Sequence, residues 1–241
     1  MSISLRRRVV RALGTSLSSC VSSSVVLVSL CALVLVGVAH GQAEVETKLD
    51  KQLHRLDLAV SGVGLFNKTT TGTNYLGQSV TDVPGNTLGA LVQIDYIAKP
   101  YVGFQFNYGY SRFTQKYALG PGTLSKVTAS SLNVQSQASE YTIGYVAHPQ
   151  FEFFGMKPFL GAGAGTIAYK PTPYGGQALQ EQARATYFYT VGLDDMISPH
   201  FGVRVQFRQQ YSLAPDFGQN YLTILQRTVM TEPAAGVFIK F

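Results

Sequence analysis

Hydrophobic and polar residues alternate with a period of two through most of the chain after residue 53, which is the signature of β-strands with two unlike faces. Eight segments carry it. Leu56, Leu58 and Val60 oppose Arg55, Asp57, Ala59 and Ser61 in 54–67. Leu88, Ala90, Val92, Ile94 and Tyr96 oppose Gly89, Gln93 and Asp95. The most regular is 101–111, where Val102, Phe104, Phe106, Tyr108 and Tyr110 face away from Gly103, Gln105, Asn107, Gly109 and Ser111. Tyr141, Ile143, Tyr145 and Ala147 alternate with Glu140, Thr142 and Gly144, and Leu160, Ala162, Ala164 and Ala168 with three glycines. Tyr187, Tyr189, Val191 and Leu193 face away from Thr186, Thr190, Gly192 and Asp194. Phe201, Val203, Val205, Phe207 and Tyr211 oppose Gly202, Arg204, Gln206, Arg208 and Gln210. The last segment sets Val229, Ala235, Val237, Ile239 and Phe241 against Glu232, Ala234, Gly236 and Lys240.

Eight such strands build either a soluble barrel or sandwich with the apolar face inside, or a membrane barrel with that face outside. Three observations favour the second. The apolar face is long and rich in Tyr and Phe, and no helix is available to cover it. The opposite face mixes Asp, Glu and Arg with glycine, as a narrow interior filled by its own bulky polar side chains requires. The connections alternate in length: those near 68–86, 118–134, 171–183 and 212–226 are long and rich in Gly, Thr, Ser, Asn and Pro. Those near 99–100 and 197–200 are short, and that at 148–156 is intermediate. Short turns on one side and long loops on the other describe an outer-membrane barrel. Closure also removes the edge strands that invite aggregation. The expected fold is all-β: a closed, antiparallel, eight-stranded transmembrane up-and-down barrel over 53–241, both termini in the periplasm.

The leader sharpens this. A basic stretch and a Ser-rich segment precede the apolar run from Val25 to Ala39, which is short for a membrane helix but suits a secretory signal. Residues 1–41 are therefore expected to be a signal peptide, cleaved after Gly41 or Ala43 by the small-x-small rule, and 42–52 a periplasmic tail. Leu17-Ser-Ser-Cys20 resembles a lipoprotein acylation site, but its apolar run follows the cysteine instead of preceding it. Arg6-Arg7-Arg8 resembles a twin-arginine signal, which carries folded cargo and so does not suit a membrane barrel.

Charge and composition then remove other classes. The chain has 241 residues and a formal charge of +6, but Arg6, Arg7, Arg8 and Arg11 lie in the leader. Beyond residue 41, 15 basic residues face 13 acidic ones, a net +2 that is no nucleic-acid footprint. Both cysteines, Cys20 and Cys31, also precede residue 41, so the rest has neither disulfides nor thiolate ligands. Charged residues make up 13%, about half the usual share, while 24 glycines and 28 Phe plus Tyr dominate.

The C-terminus, Gly236-Val-Phe-Ile239-Lys-Phe241, resembles the assembly signal of bacterial outer-membrane barrels: glycine, two residues, an apolar residue, one more, then a terminal aromatic. With the leader and the alternation, the chain resembles the small OmpA/OmpX-like eight-stranded barrels over about 53–241. It departs from them at Ala234, where a polar residue is usual, and in having no Trp, so that Tyr and Phe must form the interfacial girdles. The resemblance implies contact with outer-membrane lipid, recognition of Gly236, Ile239 and Phe241 by the barrel-assembly machinery, and a monomer in the outer membrane.

No enzyme is expected. His54, His148 and His200 remain after the leader, the latter two beside prolines in predicted periplasmic turns, away from the exterior rim where relatives with catalysis place a histidine. A His-based metal site fails for the same reason. Gly161-Ala-Gly-Ala-Gly165 has Thr166 where a nucleotide fingerprint needs glycine and no helix after it; its glycines make room inside the barrel. No cofactor or nucleic acid is implied. The inward charges Arg55, Asp57, Asp95, Glu140, Asp194, Arg204, Arg208, Glu232 and Lys240 are expected to form a lumen network. Arg204 and Arg208 should pair with acids of neighbouring strands, since an unpaired charge in so narrow an interior is costly. The expected role is structural, with a plugged polar lumen and surface contacts through long loops carrying Tyr75, Tyr174 and Tyr221. The alternatives are a small porin-like pore, if the lumen charges are separated, and a soluble periplasmic barrel for an apolar ligand, if the tyrosine-rich face is inside.

Overall fold

A computed structural model describes residues 52–121 and 130–241. The expected signal peptide and, apart from Gln52, the expected tail lie outside the described residues. Among the described residues ten strands form: β1 (Leu56–Asn67), β2 (Thr70–Thr73), β3 (Ser79–Pro84), β4 (Thr87–Lys99), β5 (Val102–Leu119), β6 (Ser130–Ala147), β7 (Lys157–Pro171), β8 (Gln182–Ser198), β9 (Phe201–Leu213) and β10 (Arg227–Lys240). Eight of them, all but β2 and β3, pair antiparallel in chain order, and β10 returns to β1 with Ser61 opposite Gly236. The barrel is closed. The start of β1, the end of β10, the two short turns and the connection 148–156 share one end, here the turn end; the four long connections share the other, the loop end.

The parity read from the sequence holds through the lower wall. Asp57, Gln93, Asp95, Gln105, Asn107, Thr142, Arg204, Gln206 and Arg208 are buried inside, while Val60, Ile94, Phe104, Phe106, Ile143, Tyr145, Leu160, Val205 and Val237 are exposed on the outer wall. Aromatic pairs run across neighbouring strands there, Phe104 with Tyr145 at 5.1 Å and Tyr108 with Tyr141 at 5.2 Å. A tilted strand crosses a bilayer in roughly 9–11 residues. At 18 residues each, β5 and β6 overshoot that length and rise beyond the apolar belt at the loop end.

In that overshoot the pattern inverts. Phe113, Tyr117, Leu119, Val134 and Ala138 are buried inside, while Arg112, Lys116 and Asn133 stand outside. The segment 118–134 is thus only partly a loop: β5 runs on to Leu119 and β6 begins at Ser130. The loop expected over 68–86 is likewise a hairpin, β2–β3, which pairs with β5 from Val80↔Leu119 to Pro84↔Gln115 and continues the wall where β4 has ended. Its turn is an Asx turn: the Asn74 side-chain oxygen accepts the Leu76 and Gln78 N–H groups, each at 2.9 Å, and Gly77 takes φ +70°.

Candidate functional site

The lumen is layered from the turn end upwards. At the bottom, β9 directs Arg204 inward, and its guanidinium forks onto both Asp194 oxygens at 2.8 and 2.9 Å while its third nitrogen donates to Asp95 at 2.8 Å. Lys240 stands 3.8 Å from Asp57 at the mouth, its side chain partly exposed. Below them opens a cavity of about 670 Å³, bordered by Asp57, Asp194, Lys157, His148, Phe238 and Lys240 among others. One turn of alternation above, Arg208 donates to Glu232 at 2.6 Å and, through both terminal nitrogens, to Glu140. Between the two arginine layers runs a chain of neutral groups. Gln206 donates to Gln93 (2.9 Å), Gln93 to Asn107 (3.1 Å), Asn107 to Thr142 (3.1 Å), and Thr142 to Glu140 (2.9 Å).

Each arginine thus takes one acid from an adjacent strand and one from across the barrel. Asp194 lies on neighbouring β8 and Glu232 on neighbouring β10, as the sequence reading expects; Asp95 on β4 and Glu140 on β6 reach in from the far wall. Cross-lumen pairing tethers opposite walls through charge-assisted bonds, the strong class of hydrogen bond. Arg55 is a correction. It has the inward parity but sits exposed in the turn before β1, where its N–H donates to the Gln52 carbonyl and its own carbonyl accepts the Ile97 N–H. The strand begins one residue too late to bring it inside.

Sequence reasoning missed the aromatic half of this interior. Phe159, Phe188 and Phe238 also point inward and are buried. Their rings carry the guanidiniums: Arg204 lies 4.5 Å from the Phe159 centroid and 5.5 Å from that of Phe238, and Arg208 lies 4.4 Å from Phe188. Each phenylalanine is directly opposite a glycine on the next strand, Phe159↔Gly192, Phe188↔Gly163 and Phe238↔Gly202. A methyl group on those glycines would come within 2.4, 2.7 and 2.5 Å of the respective ring. The glycines are the space into which the rings fold. Glu140 uses Gly109 in the same way, its carboxylate 3.1 Å from where a Cβ would be.

Above Arg208 the interior turns apolar, which the expected polar lumen did not include. Val63, Leu65, Leu91, Phe113, Ile167, Tyr169 and Met230 fill the section, and Phe217, Leu222 and Ile224 of the connection after β9 complete it from above. This connection, 214–226, is a cap. Tyr117 donates to the Pro215 carbonyl at 2.7 Å, and the Gln182 side-chain carbonyl accepts the Asp216 and Phe217 N–H groups at 2.9 and 3.0 Å. Arg184 pairs with Asp216 at 2.8 Å, and Asn74 of the β2–β3 hairpin donates to the Tyr221 carbonyl at 3.0 Å. Burial alone would raise Asp216, but the bonds from Gln182, Gly218 and Thr223 together with Arg184 outweigh it and hold its carboxyl below the usual range. Between the apolar section and Arg208 a void of about 20 Å³ remains, near the size of one water molecule.

The other expected residues sit where simple placement puts them. Gly236 faces inward against β1, where an added Cβ would come 2.1 Å from the Val60 carbonyl oxygen, and Ile239 and Phe241 are half-buried beside it at the turn end. His54 and His200 engage the Phe241 and Lys240 carbonyls. Tyr75, Tyr174 and Tyr221 stand exposed on three separate connections at the loop end.

No family model matches the sequence, and no curated protein matches it. Among solved structures, the chain is similar to Neisserial surface protein A, with 16% identity, 77% of this chain and 97% of that one covered, and a TM-score of 0.44. It is also similar to outer membrane protein AlkL in DMPC lipid bilayers (15%, 84% and 96%, 0.42). The third is Ail, the attachment invasion locus protein of Yersinia pestis, in complex with the heparin analogue sucrose octasulfate (13%, 76% and 95%, 0.38). These likenesses concern architecture alone. The chain is a closed, eight-stranded antiparallel barrel by its own strand pairing, and the likenesses reach no further than that fold.

Proposed function

We propose that this chain is an integral outer-membrane barrel with a closed lumen, whose activity lies at its loop end. The observation that carries the reading is the opposition of its two walls: apolar side chains exposed all round the lower outer surface, and charged and amide side chains bonded to one another within. An outer wall of that kind is stable against hydrocarbon, and a closed sheet leaves no backbone group unsatisfied there. Its partners are outer-membrane lipid and, through Gly236, Ile239 and Phe241, the barrel-assembly machinery. The turn end, where β1 begins and β10 ends, faces the periplasm, and the loop end the exterior, as a monomer.

Closure is supported at three levels: the Arg204 layer, the Arg208 layer and the apolar section under the cap. The turn-end cavity is a vestibule bordered by Asp194 and Phe238, which both contact Arg204, so it does not favour the pore reading. Among the described residues, the three histidines all stand towards the turn end, which lends no support to catalysis at the loops. A surface partner would be met by the hairpin and cap, which present Tyr75 and Tyr221, and by the connection with Tyr174. Purified protein in planar bilayers should give no steps in the nanosiemens range. Such steps would overturn the closed lumen and restore the pore.

A further inference from the structure

Asp82 is the one inward position of the β2–β3 hairpin that carries a charge-bearing side chain, and its environment is anomalous. It is completely buried, opposite Tyr117 in the β3–β5 register and two residues from buried Val80, in the apolar region that the cap closes. Neither carboxylate oxygen has a hydrogen-bonding partner. An ionised carboxylate in such a place is heavily penalised, because nothing replaces the water it has lost. Burial accordingly pushes its pKa from 3.8 up to about 8.

The titratable groups around it do not relieve this. Tyr117 on β5 gives its hydroxyl hydrogen to the Gln115 and Pro215 oxygens. Tyr169 on β7 faces Ser212, with Glu140 and Glu232 further below. The Arg184 guanidinium beside the cap is engaged by Asp216. A second observation concerns the cap itself. Phe217 and Leu225, neither of them glycine, take φ of +50° and +56°, so the segment holds its buried residues in a conformation that L side chains resist. The closed loop end thus combines a strained cap backbone with an unpartnered buried acid.

We propose that Asp82 is a proton-operated latch: its neutral form lets the hairpin and the 214–226 cap seal the loop end, and its ionisation releases them. The sign follows from linkage. The closed form holds the proton more tightly than an open form with an ordinary carboxyl, so closure weakens as pH rises between about 4 and about 8 and stays at its weakest above that. The opening constant should climb about tenfold per pH unit across that window, the slope of one proton. Asp216 releases the cap only at acid pH, outside the range.

The latch is compatible with the closed lumen proposed above, since both arginine layers lie beneath it, and its test does not read conductance. Amide hydrogen exchange of the full chain refolded in detergent, corrected for the intrinsic rate, should show opening of 68–86 and 214–226 rising about a hundredfold from pH 5.5 to 7.5. In Asp82→Asn, and in Asp82→Leu if the first fails to refold, the corrected rate should not change with pH. A wild-type rate that is the same at both pH values would overturn the latch, as would variants that follow pH as the wild type does.

Discussion

The lower and upper halves of the barrel are built from the same strands with opposite rules. On β5, Phe104 and Phe106 face out while Gln105 and Asn107 face in; ten residues on, Lys116 faces out while Phe113 and Tyr117 face in. Side-chain direction along the strand never breaks step. On the outer-membrane reading proposed above, what changes is the medium outside, and with it which face must be apolar. Below, hydrocarbon takes the apolar face and the interior is left to polar groups, with the two arginines and the Gln206–Gln93–Asn107–Thr142 chain bonded across it. Above, water surrounds the wall, and the interior packs as in a soluble barrel.

The halves should therefore fail differently. The larger effect is expected below. Arg208→Met leaves Glu140 and Glu232 facing each other without a cation, and removing one partner of a buried ion pair costs about 3–5 kcal/mol. The heat-modifiable mobility shift in SDS should move to markedly lower temperature. Adding Glu140→Gln and Glu232→Gln should recover most of the loss, because the cost is an uncompensated charge and not a lost contact. A triple variant as weak as the single one would break that account.

Damage above should stay above. Phe217→Ala deletes a buried ring packed edge-on to Tyr117 at 6.4 Å, a change of about 3 kcal/mol. Since the lower barrel closes without the cap, hydrogen exchange should accelerate in 214–226 and the hairpin while the heat-modifiable transition barely moves. A variant that lost the mobility shift would show that the cap and the membrane wall fold as one unit.

The comparison also explains what was legible in the sequence. Alternation placed the lower part of all eight strands and the direction of their faces, because in that zone a single rule operates over six or more residues. It stopped at Ser111 on β5 and started at Glu140 on β6, since beyond them polar residues such as Arg112, Gln135 and Gln137 occupy the outer face and the pattern reads as loop. The hairpin was lost for the same reason. Within the site, inward charges followed from parity, and Arg55 failed because parity says nothing about where a strand begins. Phe159, Phe188 and Phe238 were missed because an aromatic in a membrane barrel is expected on the lipid face. The signal that could have found them is the glycine opposite each, and that requires the strand register. The cross-lumen partners Asp95 and Glu140 depend on closure of the barrel, which no local pattern contains.

The most direct test of the inversion is a single-cysteine scan along β5, with Cys20 and Cys31 replaced by serine and the protein refolded in lipid vesicles. Cysteines at Phe104 and Phe106 should resist a water-soluble maleimide and respond to a lipid-borne quencher, whereas those at Arg112 and Lys116 should react readily from water. Ready aqueous labelling at Phe104 and Phe106 would contradict the account, because it would place the apolar wall in water instead of lipid.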